Sequence, residues 1–384
     1  GDIPYTTKVL SIKESMSIAR TDRATVIANM LADLDEVING NYLPSSHDAD
    51  NKGRITRRPA LAIKAKIYLF EGNWTQVKNI TSTIMTEGGF TLFGSYAGLF
   101  EIANEYNSEV ILDAQYRPTS REHQMMYVFL PPTLGGYSQL SPLQELVDSY
   151  IMLDGKTIKE TGTSFDESHP YANRDPRLKA TVMYTGNSYT LADGTEVVIN
   201  CEKGEGKDGY GVGSDCSATG YYIKKYWDNT YRATLYSGLN PILIRYADIL
   251  LMNAEALAEL GELDKTAWDA TIKPIRDRAG FTLASALEFP EGASKDKLIE
   301  IVRNERRSEL ALEGHRHKDI IRWRIADNVL NGWCHGLKTN DVVGTDDGYV
   351  RVENRTFNAN KHYLWPIPQA ERDLNGNLEQ NPNW

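Results

Sequence analysis

The sequence predicts a mainly α fold, with tetratricopeptide-like helix pairs carrying an irregular lobe of loops and short strands. Three observations predict it. A helical pattern, a glycine stop and a second helical pattern occur twice, around Gly72 and around Gly261. Helical periodicity fades from Tyr116 and gives way to Pro/Gly turn chemistry through residue 237. The 384 residues can bury a large core, and no stretch approaches the ~18 uninterrupted apolar residues of a membrane span.

The organising stretch runs from Asn240 to Gly280. Asn240 suits an N-cap and Pro241 the first helical position, where a missing N–H costs nothing. The apolar residues from Ile242 to Leu260 cover most of a helix circumference, so this helix is expected to be buried on more than one side. Gly261 suits a left-handed stop. Thr266 to Arg278 reads as the partner helix, with Ala267, Trp268 and Ile275 inward. Ala247, Ala254 and Ala258 are small enough to let it approach closely.

In chain order, Asp22 to Leu43 reads as an amphipathic helix, with Val26, Ile27, Met30, Leu31, Leu34, Val37 and Ile38 at helical spacing. Arg58 to Gly72 and Trp74 to Thr86 form the first helix pair. Ala65, Tyr68 and Gly72 stand in the phase of Ala254, Leu257 and Gly261. Two such units are too few for a free solenoid, so another part of the chain must cover their ends. Glu109 to Gln115 reads as a short strand. Residues 183–237 alternate β-prone runs with Gly-rich turns, and Lys203 to Asp215, with five Gly in thirteen residues, reads as an adaptable surface loop. Ser294 to Glu313 returns to helix with Gly314 as its stop. Its Glu305, Arg306, Arg307 and Glu309 are read as helix-to-helix ion pairs rather than acid–base catalysts.

A net charge of −10 argues against a nucleic-acid footprint. Cys201, Cys216 and Cys334 are too few for a disulfide framework; Cys201 and Cys216 bracket one loop and are equally compatible with a local disulfide or two free thiols. His315 and His317 alone do not make a zinc site. Asp48 and Asp50 lie before Lys52-Gly53 in the manner of a calcium loop, but Pro59 stands at the last ligand position, which argues against one. No cofactor is expected.

Several motifs recur in the order of one known family. PILIRYADILLMNAEAL resembles the signature helix of the SusD/RagB family, the surface lipoproteins that Bacteroidetes place over a TonB-dependent outer-membrane transporter. Gly1-Asp2-Ile3-Pro4-Tyr5, Glu109 to Leu112, Leu143 to Gly155, Asn173 to Leu178, Gly220 to Tyr226, Glu305 to Trp323 and the Tyr363 to Pro368 tail also resemble family elements in order. The first of these lies well inside the family's chains, so the resemblance implies helices and a lipid anchor that precede this sequence.

The resemblance divides the chain into the remainder of the family's N-terminal helical region, 1–115, and its C-terminal region, 116–384. The second holds the irregular lobe (116–237 and 326–384) and a helical part (238–325), and the whole is expected to be one compact unit. It also implies a function: capture of a glycan at the cell surface and handover to a SusC-like transporter, without chemistry, and with membrane attachment only through the N-terminal lipid anchor. A peptide-binding, RagB-like role is the alternative. A glycoside hydrolase needs two carboxylates at a defined separation and has no recognisable motif here. An intracellular helical-repeat scaffold fits poorly with the long irregular lobe.

Sugars need flat apolar faces for stacking and planar polar side chains for their hydroxyls. The richest supply runs from Tyr210 to Arg232. Gly220 to Tyr226 resembles a core strand of the family, which discounts Tyr221, Tyr222 and Tyr226. The candidate ligand-binding residues are therefore Tyr137, Tyr210, Trp227, Asn229, Tyr231 and Arg232.

Overall fold

The structure, a computed structural model, describes residues 1–230 and 234–384. Its helical side is built from α1 (Arg23–Asn39), α2 (Arg57–Phe70), α3 (Trp74–Glu87), α4 (Tyr246–Leu260), α5 (Lys265–Ala279), α6 (Lys295–Glu309) and α7 (Arg316–Arg322). Local chemistry sets most starts. The side chains of Asp22, Asn73, Asp264 and Ser294 each accept a backbone N–H of the first turn that has no helical partner. Gly261 ends α4 with φ 73°, a left-handed conformation that costs glycine little.

The two helix pairs share α4 as their common wall. On one side Ile249, Met252 and Ala256 pack with Ala62, Ala65, Val77 and Ile84 of α2 and α3. On the other, Ala247, Leu250, Leu251 and Ala254 pack with Trp268, Ile272, Leu298 and Val302. Burial on two sides follows from the near-continuous apolar sequence of α4. The amphipathic α1 is covered less fully than its periodicity suggests. Val26 and Ile38 are buried, but Met30 stays exposed beside an open apolar groove that also holds Ile3, Ile27 and Phe70.

Two boundaries differ from the sequence reading. Residues Ile242–Arg245 form a strand, not the first turn of α4, and pair antiparallel with Val110–Asp113. We label the latter β1 and Ile242–Arg245 β2. Asn240 is not an N-cap. Its carboxamide donates to Asp113 and accepts the N–H of Tyr116 at 2.6 Å, so a distant strand claims it. Helix α6 stops at Glu309, four residues before Glu313, because Leu312 adopts φ 63° and both Glu309 and Glu313 turn back to Arg245.

The irregular lobe has its own core, rich in aromatic side chains: Tyr96, Phe100, Phe129, Tyr150, Tyr189, Tyr221, Tyr222 and Tyr226 are all buried. Much of the unusual tyrosine content is spent there. A three-stranded sheet closes one flank: β3 (Gly332–Lys338), β4 (Thr345–Asp346) and β5 (Tyr349–Arg355), with β5 in the middle. Cys201 and Cys216 are free thiols. Among the described residues no helix is long and apolar enough to cross a membrane.

Candidate ligand-binding cleft

A cleft of about 940 Å³ opens in the irregular lobe. One wall is the Phe165–Arg174 segment, a second the turn at Tyr184–Gly186, and a third the end of β3 with residues 338–341 and Tyr349. Glu202, Lys203 and Glu205 of the Gly-rich loop complete the rim.

The aromatic surface rests on a fixed polar floor. Tyr171 and Tyr184 are stacked, with ring centroids 4.0 Å apart and planes inclined by 16°. The Tyr221 hydroxyl donates to Gln144 Oε1 at 2.5 Å, and its oxygen lies 3.2 Å from that of Tyr171. Tyr221 has one proton to give, so Tyr171 is the donor to Tyr221. Gln144 in turn donates to Asp148 at 2.7 Å, which fixes its orientation. Burial pushes the Tyr171 phenol up to about 12 and also raises Tyr184 and Tyr349, so these rings remain neutral near pH 7.

Arg174 holds the first wall in place. Its guanidinium donates to the carbonyls of Val147, Tyr150 and Pro170 and lies 5.4 Å from the Phe165 ring centroid. The third wall is seated on the floor by close backbone contact. Leu337 N–H donates to Thr219 O at 2.7 Å, and Gly220, at φ 75°, leaves the space that the Leu337 side chain fills.

Two ion pairs span the mouth. Lys203 of the Gly-rich loop meets Asp341, and Lys338 lies 3.0 Å from Glu167. All four side chains are solvent-exposed, a setting in which an ion pair contributes only about 0–1 kcal/mol. The mouth is therefore tethered weakly while the floor is held firmly. Stacked neutral rings, amide and carboxylate groups in one concave surface suit a ligand with flat apolar faces and many hydroxyls.

The described residues singled out in the sequence, Tyr137, Tyr210, Trp227 and Asn229, do not line this cleft. Tyr137 is 40% exposed and packs on Tyr127, with ring centroids 4.2 Å apart. Tyr210 packs against the aromatic core, and its carbonyl accepts the Gly204 N–H, closing the loop that carries Glu202 and Lys203. The Tyr137 and Tyr210 loops adjoin, because Thr133 N–H donates to Asp208 at 2.7 Å. Trp227 is half-buried, edge-on to Tyr189, with its indole N–H on Thr190 O at 2.9 Å. Asn229 is half-buried beside Asp228, whose carboxylate caps Thr230. Tyr231 and Arg232 lie outside the described residues. Sequence reasoning passed over Phe165, Tyr171, Tyr184 and Tyr349, which no local cluster announces. The nearest signal is the position of Tyr171 just before the Asn173 to Leu178 motif.

The profile of the SusD family matches residues 99–384. Among curated relatives, SusD-like protein P25 of Formosa agariphila is 28% identical over 354 residues, 86% of this chain and 61% of the relative. The chain thus spans about three fifths of that relative's length. Among solved structures, a SusD-like carbohydrate-binding protein from Bacteroides fragilis superposes with a TM-score of 0.86 at 29% identity, covering 98% of this chain and 75% of the other. A second Bacteroides fragilis SusD-like protein gives 0.82 at 27% identity, covering all of this chain and 76% of its own. The paired helices, the sparse short strands and the matched profile agree: the chain belongs to the SusD family.

Proposed function

We propose that this protein captures a glycan at the cell surface and passes it to a SusC-like TonB-dependent transporter, without cleaving it. The observation that carries the reading is the stacked Tyr171/Tyr184 pair on its hydrogen-bonded floor, in a cleft large enough for several sugar rings. The likeness to a carbohydrate-binding SusD-like protein at 29% identity supports the ligand class. The face built by the helix pairs is the one we assign to the transporter, and an N-terminal lipid anchor preceding this sequence is the means of attachment. We assign Tyr137 and Tyr210, on adjoining loops, together with Trp227 and Asn229, as further contacts along which a longer glycan would extend.

Screening by calorimetry against neutral oligosaccharides, with peptides in parallel, tests the ligand class. Saturable binding of oligosaccharides with unchanged sugar on chromatography is expected. Binding of peptides alone, or sustained release of cleaved sugar by repurified protein, would overturn the reading.

A further inference from the structure

The interior of this protein pairs its arginines closely. Arg177, Arg245, Arg276, Arg278, Arg306 and Arg322 each meet a carboxylate at 2.6–2.9 Å. Arg174, held by backbone carbonyls alone, departs from this pattern, and so do Arg307 of α6 and Arg316 of α7. Among the described residues neither Arg307 nor Arg316 has a carboxylate within ion-pair distance. Arg307 donates to the backbone carbonyl of Glu145, whose carboxylate is taken by His335. Arg316 lies 5.9 Å from the Trp323 ring centroid.

Both guanidiniums line a cavity of about 540 Å³, on the helical side and away from the aromatic cleft. They also line the cavity on the other side of their shared wall. They are near enough to repel each other: burial first, and then the Arg316 charge, bring Arg307 down to about 10. The acids around the first cavity do little to offset them. Glu259 is held by Arg303 at 2.9 Å and Glu300 by Lys297 at 3.0 Å, while Asp296 stands exposed at the start of α6. Two half-buried like charges thus face one space in which Glu259 and Glu300 are already engaged and Asp296 is turned to solvent, while Asp319 attracts Arg316 from outside ion-pair distance. A guanidinium pair presents forked N–H donors that match an oxyanion's geometry.

We propose that Arg307 and Arg316 bind an oxyanion, either a free inorganic ion or the sulfate or carboxylate group of an acidic sugar. This site stands apart from the glycan cleft and does not depend on that assignment.

The test compares melting of the full chain in sodium sulfate and sodium chloride at equal ionic strength, with calorimetric titration of sulfate, and of glucuronate against glucose. Sulfate, glucuronate or both should bind saturably and raise the midpoint by about 1–2 °C beyond chloride. Glucose should not bind here. Arg307→Gln and Arg316→Gln should each weaken the anion by about tenfold or more, since each removes one charged fork. Arg316→Gln should melt in chloride no lower than the parent, because it relieves the desolvation of Arg316 and its repulsion of Arg307, whereas Arg307→Gln also gives up the bond to the Glu145 carbonyl. Sulfate binding alone would identify a tetrahedral ion, and glucuronate binding alone a sugar carboxylate. Neither binding, or binding that persists in the double variant, would overturn the proposal. So would a large loss of stability of Arg316→Gln in chloride, which would mean that Arg316 serves the fold through a protein partner.

Discussion

Nη1 of Arg245 lies 2.6 Å from Oε1 of Glu309, with both side chains withdrawn from water. Arg245 is the last residue of β2, and Glu309 is the last of α6. The same guanidinium reaches Glu109 at 2.7 Å and Glu313 at 2.8 Å, and Glu309 also receives Arg177 and Arg278. One buried network thus joins Glu109, just before β1, to β2, α5, α6 and the Asn173 to Leu178 motif. Removing one member leaves charges buried without a counter-ion, which typically costs about 3–5 kcal/mol. Arg245→Ala is expected to lose that much in denaturant unfolding. A variant within 1 kcal/mol of the parent would show that the network carries little of the fold.

The network also fixes an acid limit. Burial opposes ionisation of Glu313, but Arg245 and Lys225 outweigh it and hold its carboxyl down at about 2. Glu309 is held well below the usual range as well, by Arg278, Arg245 and Arg177 against burial. A carboxylate depressed in the folded state contributes stability above its unfolded value, about 4.3, and loses it as pH falls through the folded value. The melting midpoint should therefore decline steeply between about pH 4 and pH 2. Unfolding already complete above pH 5 would contradict this account.

Ala254 has no exposed surface and packs in the cluster that joins α4 to Trp268, Ile275 and Val302. Ala254→Leu adds three carbons where α5 and α6 crowd α4. Overpacking of this kind costs about 1–3 kcal/mol. An unchanged thermal midpoint would remove Ala254 from the close contact.

The helical side was legible because its signals are local. Asp22, Asn73, Asp264 and Ser294 cap the helices they precede, and Gly261 stops α4, all within a few residues of the pattern they punctuate. Ile242–Arg245 was misread because its apolar run continues into α4 without a break. Only its pairing with Val110–Asp113, more than a hundred residues away, makes it a strand. The cleft was hidden for the same reason. Phe165, Tyr171, Tyr184 and Tyr349 come from separate segments, so no local density of rings marks them. The local density near Trp227 partly reflects core packing, since Trp227 leans on Tyr189.

His335 bridges two elements beside the cleft. Its Nδ1 lies 2.8 Å from Glu145 and its Nε2 3.0 Å from Asp346, which also holds Arg351. Burial disfavours the imidazolium, but the bonds to Asp346 and Glu145 outweigh it and raise its proton affinity. A histidine raised in the folded state contributes fully below its unfolded value, about 6.5, and its contribution is lost as pH rises through the folded value. The clamp holds β3, and with it the Lys338 wall, so the His335 amide should exchange faster at pH 8 than at pH 6 after correction for intrinsic rates. His335→Gln should abolish the difference. Equal protection at both pH values in the parent would contradict the clamp.

The central claim is that a glycan is held on the stacked tyrosines, and calorimetry on Tyr171→Ala and Tyr184→Ala tests it most directly. The ligand is the best oligosaccharide from the screen, with a melting curve for each variant. Aromatic platforms contribute about 1–3 kcal/mol per ring in stacking against bases, and we expect the lower end for sugars. Tyr184→Ala, which removes a ring without breaking the Tyr221–Gln144 floor, should weaken binding by about fivefold or more while the fold persists. Binding should change little between low and high salt, because stacking is not screened. Unchanged affinity in both variants, with unchanged melting, would contradict the account and move the glycan to the Tyr137 surface.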